Sequence, residues 1–317
     1  MFYIEEFIRS LNSTNKSIYT VKNYRIDLNK FYNYIKNLEK YKNKTDDEIL
    51  NSITLFDLEG YRDFLNSNNG RRGNGESERT INRRIASLKS YFNYLEYHEI
   101  IPRNVAKNLK SLKLPKASPV YLNLNEANNL IISAKKEKSN GRNNDHRRLR
   151  NELMIRIYIK YGLRNSELIN LTLNDVDLET GKIRIIGKGN KERFIYLSED
   201  EILLYKEYLE VRNLLNVKDN NVFLSNNGNK LDATNVWRII KECAKNSDIS
   251  ESKKKKITPH KLRHTAATLA IKNGIPLNSV SKLLGHSKTS ITTDIYIHTD
   301  DEDIINACRQ ISEKIKI

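Results

Sequence analysis

The chain has 317 residues, enough for two domains of ordinary size, each with its own hydrophobic core. Its 55 Lys and Arg against 39 Asp and Glu give a formal net charge of +16, an excess that asks for an anionic partner; nucleic acid is the commonest, although ribosomal and membrane-surface proteins are equally basic. Cys243 and Cys308 do not form the closely spaced pair of a zinc site or redox motif, no apolar run reaches membrane-spanning length, and the opening Met-Phe-Tyr-Ile-Glu-Glu is too acidic for a signal peptide, so the expectation is a cytoplasmic protein without membrane contact.

From Ile18 to Lys36 the apolar residues Val21, Tyr24, Leu28, Phe31, Tyr32 and Ile35 recur at helical spacing, which predicts an amphipathic helix with Lys22, Arg25, Lys30 and Lys36 outside. A shorter helix is expected over Asp57 to Asn66, and the Asn- and Gly-rich stretch from Ser67 to Gly75 reads as a loop. A long helix from about Glu78 to Tyr97 should bury Ile81, Ile85, Leu88, Phe92 and Leu95 and expose Arg79, Arg83, Arg84 and Lys89. Taken alone, each charged face fits an ordinary solvated surface as well as a contact with a polyanion. Pro115 and Pro119 among lysines mark an extended linker, which divides the chain into a helical domain over 1–112, a linker over 113–119 and a second domain over 120–317.

In the second domain Asn125 can cap a helix through Ala134, Lys135 to His146 reads as a polar surface loop, and Leu149 to Tyr161 is a helix that stops at Gly162. Short alternating runs, Lys182 to Gly187 and Glu192 to Leu197, flank Lys188-Gly-Asn-Lys191 as a β-hairpin. Helices follow over Thr234 to Lys245, Pro259 to Asn273 and Pro276 to Leu284, and the stripe Ile304, Ile305, Cys308, Ile311 and Ile315 marks a terminal one. The fold class is mainly α with a small antiparallel sheet.

Two segments raise the chemical question. Thr258-Pro-His-Lys-Leu-Arg-His264 puts His260 and Arg263 on one face at the start of a helix, where an anion meets backbone donors, a guanidinium and an imidazole together. His260 and His264 have a spacing that chelates zinc, but no Glu stands between them and no third ligand is evident, so a metal is not expected. Leu284-Gly-His-Ser287 is followed by Ile295-Tyr-Ile-His298; by itself, one Tyr among 17 carries no chemical meaning. The acids Asp300, Asp301, Glu302 and Asp303 read as dipole partners of a helix start rather than as a metal nuclease cluster.

The order of Gly162-Leu-Arg-Asn-Ser-Glu-Leu168, the hairpin lysine, His260-x-x-Arg263, Gly285-His286 and Tyr296 resembles the tyrosine recombinase and integrase family, whose site is built as Arg, Lys, His-x-x-Arg, His or Trp, and a nucleophilic Tyr. By that resemblance Arg164, Lys188, His260, Arg263, His286 and Tyr296 are the catalytic set, and Glu167 is the acidic residue that supports the first arginine. Ile185-Ile-Gly-Lys-Gly-Asn-Lys-Glu-Arg193 looks like the Xer branch, whereas Tyr296 follows His286 by ten positions, one more than is usual there. Ser17 to Ile35, Arg79 to Leu95 and the linker look like the family's N-terminal core-binding (SAM-like) domain, so the likeness spans nearly the whole chain and implies a two-domain, C-shaped clamp on duplex DNA.

The chemistry explains the residue types. A phenol with a pKa near 10 must attack a phosphodiester, and the transition state gathers negative charge on phosphate oxygens. Arg164 and Arg263 can each fork onto those oxygens; Lys188, between Gly187 and Gly189, can protonate the departing 5′ oxygen; His260 can take the tyrosine proton; His286 can bind a phosphate oxygen; and Glu167 can orient Arg164 or His260. Contacts to DNA are expected from Arg79, Arg83, Arg84, Lys89, Lys191, Arg193 and Lys261. The resemblance implies site-specific recombination through a 3′-phosphotyrosyl intermediate by a homo- or heterotetramer, in chromosome dimer resolution (chromosome partition) or mobile-element integration, with an accessory protein as a further partner and without cofactor or metal. It also implies that the terminal helix docks on a neighbouring subunit, self-packing being the simpler reading, and with the core-binding helix so near the start no arm-binding domain is expected. The rivals are a type IB topoisomerase-like relaxing enzyme and a DNA clamp without catalysis; the second would lack the Tyr, Arg or Lys that all stand here.

Overall fold

The structure is a computed structural model that describes residues 3–14, 16, 18–68, 75–114, 120–136, 144–187, 189–285 and 301–314. The chain divides into two units, Met1–Ala117 and Ser118–Ile317. Of the linker residues 113–119, only 113 and 114 are among those described.

The first unit is helical: α1 (Ile4–Ser13), α2 (Ile18–Lys36), α3 (Asp46–Ser52), α4 (Leu55–Asn68) and α5 (Glu78–Tyr97). The apolar periodicity marks the limits of α2 and α5, and Ser77 caps α5 by accepting the backbone N–H of Thr80. Phe31 of α2 packs edge-on against Tyr61 of α4 at 5.2 Å and Phe92 of α5 at 6.1 Å, which joins the three helices in one core.

One expectation fails here. Arg84 is buried, not outward, because it follows Ile81 by three positions and precedes Leu88 by four, on the inner stripe of α5. Its guanidinium donates to Asp27 Oδ1 at 2.7 Å and to both carboxylate oxygens of Glu76 at 2.6 and 2.9 Å. Arg83 also binds Asp27 and is only partly exposed, while Arg79 is exposed and partly buried Lys89 donates to the Lys107 carbonyl at 3.4 Å. Asp27 is 1% exposed, and an ion so far from water is tolerated only when it is paired.

The second unit holds α6 (Leu124–Lys135), α7 (Asn144–Tyr161), α8 (Asn165–Asn170), β1 (Val176–Asp177), β2 (Lys182–Ile186), β3 (Glu192–Tyr196), α9 (Glu199–Asn213), α10 (Ala233–Asn246), α11 (Glu251–Lys254), α12 (Pro259–Lys272), α13 (Leu277–Leu284) and α14 (Asp301–Lys314). The three strands form one antiparallel sheet in the order β1-β2-β3, with Ile183 opposite Ile195 and Ile185 opposite Arg193. The cap of α6 is Asn123, in a reciprocal box with Glu126, and not Asn125. The end of the expected loop is helical too, since α7 already begins at Asn144.

Helix α7 is the axis of this unit. It is buried on every side from Leu149 to Tyr161 and packs against α6, α9, α12 and α14. A helix enclosed in this way must satisfy its own charges: Arg156 pairs with Glu152 at 3.0 Å, and Lys160 with Glu201 at 2.8 Å. Helix α14 lies against β3, α13 and α7 of its own unit, burying Ala307, Cys308 and Ile311. Among the described residues no helix is long and apolar enough to cross a membrane.

Replacing Arg84 by Met strips Asp27 and Glu76 of their shared partner. Urea denaturation is expected to show a loss of about 3–5 kcal/mol, whereas Arg79→Met on the exposed face should stay within about 0.5 kcal/mol of the parent.

Candidate active site

The site begins where α7 ends. Gly162 takes a left-handed turn (φ +61°), and a Cβ there would stand 2.4 Å from Leu284 Cδ2 and 3.1 Å from the Cβ of Ala266. The bare backbone therefore lets the end of α7, α12 and the end of α13 meet. Arg164, two residues on, and Arg263 on α12 are brought to the same place by this closeness.

Main-chain oxygens seat both arginines. Arg263 donates from Nη1 to the Gly162 carbonyl at 2.8 Å and from Nη2 to the Leu284 carbonyl at 2.5 Å. Arg164 donates from Nη2 to the Gly285 carbonyl at 2.7 Å and from Nη1 to Glu167 Oε1 at 2.7 Å. Glu167 is buried at the first turn of α8, where Oε2 also accepts the backbone N–H of Arg164 at 2.7 Å. A third guanidinium reaches it from β3: Arg193 donates from Nη1 to Oε1 at 2.9 Å and from Nη2 to Oε2 at 2.8 Å. Arg263 Nη1 stands 3.9 Å from Oε2, so one carboxylate lies among three guanidiniums and the cluster keeps an excess of positive charge.

The protonation states follow from these surroundings. Burial works against the charge on Glu167, but the hydrogen bonds and charge of Arg193 and the donors of Arg164 outweigh it and hold the carboxyl at about 2. Burial, and then the charge of Arg164, pull Arg263 down to about 10, which leaves it ionised at neutral pH. His260 lies below its ordinary value of 6.5, first through burial and then through the charges of Lys261 and Arg263. Its imidazole is thus largely neutral at pH 7 and able to accept a proton. His260 Nε2 lies 3.1 Å from His264 Nε2, a bond that requires one of the two nitrogens to be unprotonated. Among the described residues no group of three or more His, Cys, Asp or Glu is placed to hold a metal.

Arg164, Glu167, His260 and Arg263 are described; Lys188, His286 and Tyr296 lie outside the described residues. Arg193 departs from the expected DNA contact: its side chain is 9% exposed and is engaged by Glu167 and, through Nε, by the Leu283 carbonyl at 2.7 Å. The reason is register, since Arg193 pairs with buried Ile185 and so faces inward. Lys191 is exposed and Lys261 is partly so. Sequence reasoning also missed Trp237, about half exposed, which lines an open cleft with Asn165, Thr234, Thr258 and His260; Lys241 lies 5.5 Å from the centre of its ring.

Family models match both units: the phage integrase family over residues 121–303, and the phage integrase N-terminal SAM-like domain over residues 4–99. The chain belongs to the phage integrase family, the tyrosine recombinases, enzymes that cut and rejoin DNA. It is 34% identical to tyrosine recombinase XerC of Caldanaerobacter subterraneus subsp. tengcongensis, covering 96% of this chain and 85% of that protein. It is 35% identical to tyrosine recombinase XerD of Listeria monocytogenes, covering 93% of each. The fold is shared with XerH site-specific recombinase bound to its difH substrate (TM-score 0.65, 24% identity, 92% of this chain and 76% of that one). It is also shared with the Tn1549 transposon integrase in complex with circular intermediate DNA (TM-score 0.68, 20% identity, 96% and 97%).

Glu167 gives a signed pH test. Its value in the folded chain, about 2, lies below the ordinary 4.5, so its stabilisation is complete above about 4.5 and is lost as pH falls towards 2. The stability gap between the parent and Glu167→Gln, on the order of 3 kcal/mol at neutral pH by that difference, should shrink in denaturation curves taken from pH 5 down to pH 2.

Proposed function

We propose that this chain is a site-specific recombinase in which Tyr296 attacks a phosphodiester of duplex DNA, with Arg164, Lys188, His260, Arg263 and His286 as its catalytic partners. The observation that carries the reading is the meeting of Arg164 and Arg263, 99 positions apart in the chain, on the adjacent carbonyls of Gly285 and Leu284, immediately before His286.

The phenol loses its proton to His260, whose neutral imidazole suits the task, and the phenoxide oxygen bonds to phosphorus while the bond from phosphorus to the 5′ oxygen breaks. Lys188 gives the leaving oxygen its proton. A guanidinium has five N–H donors, and those of Arg164 and Arg263 left by their backbone seats stabilise the non-bridging oxygens as charge builds there. His286 supports the same oxygens. The resulting 3′-phosphotyrosyl bond keeps the energy of the broken phosphodiester, so attack by a 5′ hydroxyl rejoins a strand without ATP. In this reading residues 1–112 are the core-binding domain, 113–119 the linker and 120–317 the catalytic domain, with Arg79, Lys89, Lys191 and Lys261 on backbone phosphates and four protomers at two paired sites. The four relatives and structures described above carry recombinase or integrase names, two of them in complexes with DNA, which supports that assignment.

Nicked duplexes that lose a short fragment on cleavage, made from candidate genomic segments, trap the covalent species on a denaturing gel. Tyr296→Phe is expected to keep salt-sensitive DNA binding and to form no adduct; an adduct that persists in this variant refutes the assignment. Arg263→Ala should slow trapping by about 100- to 1000-fold. Because His260 must be unprotonated to accept a proton, the trapping rate should be full at neutral pH and decline as pH falls through and below the ordinary range near 6.5, with His260→Gln removing that acid limb.

A further inference from the structure

We infer that Arg193 is a positioning residue of strand cleavage: it fixes Glu167, and through it Arg164, while tying the root of the β2–β3 hairpin to the carboxyl end of α13. This rests on the reading of the site given above.

Three contacts make the case. The first is the two-pronged bond to Glu167, with Nη1 and Nη2 on separate carboxylate oxygens, which leaves the carboxylate one orientation in which Oε1 also meets Arg164. The second is the bond from Nε to the Leu283 carbonyl in the last turn of α13. At the following turn Gly285 has φ +64°, and a Cβ there would lie 3.2 Å from Arg193 Nη1 and 3.3 Å from its Cδ, so the guanidinium lies flat against bare backbone one residue before His286. The third lies on the hairpin side. A Cβ on Gly187 would stand 3.5 Å from Glu167 Oε1 and 3.9 Å from Arg193 Nη1, and the Gly187 N–H donates to the Lys191 carbonyl at 2.8 Å. The Arg193–Glu167 pair therefore lies against Gly187, the residue that precedes Lys188 in sequence.

These contacts place one planar fork at the junction of three chain segments, each adjoining a proposed catalytic residue. Lysine supplies the charge without the fork: it can neutralise Glu167, but it cannot hold both carboxylate oxygens and the Leu283 carbonyl in one plane. Without that restraint Glu167 can rotate, and Arg164 follows it away from the phosphate. A shift of about 1 Å at a reacting centre is enough to cost about 100-fold in rate.

The test compares the parent chain with Arg193→Lys, Arg193→Met, Glu167→Gln and Arg193→Met/Glu167→Gln. Each is assayed for single-turnover trapping on a nicked duplex at saturating DNA, for the dissociation constant of that duplex, and for thermal unfolding. Arg193→Lys should remain folded at the assay temperature and bind DNA within about two-fold of the parent, yet cleave 10- to 100-fold more slowly. Arg193→Met should be slower still, and the double variant should be no more than about two-fold slower than its slower parent, because both substitutions break the same link. If Arg193→Met does not fold, the lysine variant decides alone. Parent-like cleavage by Arg193→Lys, a rate loss matched by weaker binding or by an unfolded fraction, or losses that multiply in the double variant would each overturn the role assigned to Arg193. A parent chain that forms no adduct on any duplex takes down the reading of the whole site, this inference included.

Discussion

A buried carboxylate surrounded by guanidiniums holds the candidate active site together. Glu167 could not remain ionised in the interior without Arg193 and Arg164 on its oxygens, and three arginines could not crowd together without an anion between them. The balance is uneven by design of the fold: the carboxylate compensates part of the charge and the remainder faces outward, where Arg164 is the most exposed of the three. In the proposed reaction the cations thus stand ready before a phosphate arrives, and little reorganisation remains for the moment of reaction.

A second arrangement of the same kind lies in the N-terminal unit, where Asp27 and Glu76 receive Arg83, Arg84 and Lys30. The N-terminal cluster joins α2 to α5, and the one around Glu167 joins α8, β3 and α12. Both show why a count of basic residues says little about which of them face outward.

Much of the architecture was legible in the sequence because periodicity is a strong signal. The limits of α2 and α5, the hairpin strands and the start of α12 at Pro259 follow from apolar spacing and capping residues. Two arginines whose charge suggests the surface are inward for one physical reason. Arg84 lies on the inner stripe of its helix and Arg193 on the inner face of its strand, so the period outweighs the charge. An inward arginine demands a carboxylate, which Glu76 and Glu167 supply. The small strand β1 and the cap at Asn123 were invisible for a different reason, since a two-residue strand exists only through its partner and adjacent asparagines compete for one capping position.

The seats of Arg164 and Arg263 are carbonyl oxygens of Gly162, Leu284 and Gly285, atoms that every residue type possesses. Exchange of Leu284 for another residue leaves its seat in place so long as the turn survives. Backbone shape at two glycines therefore shares with the Glu167 carboxylate the task of seating the two arginines, and that part of the seating depends on no particular side chain.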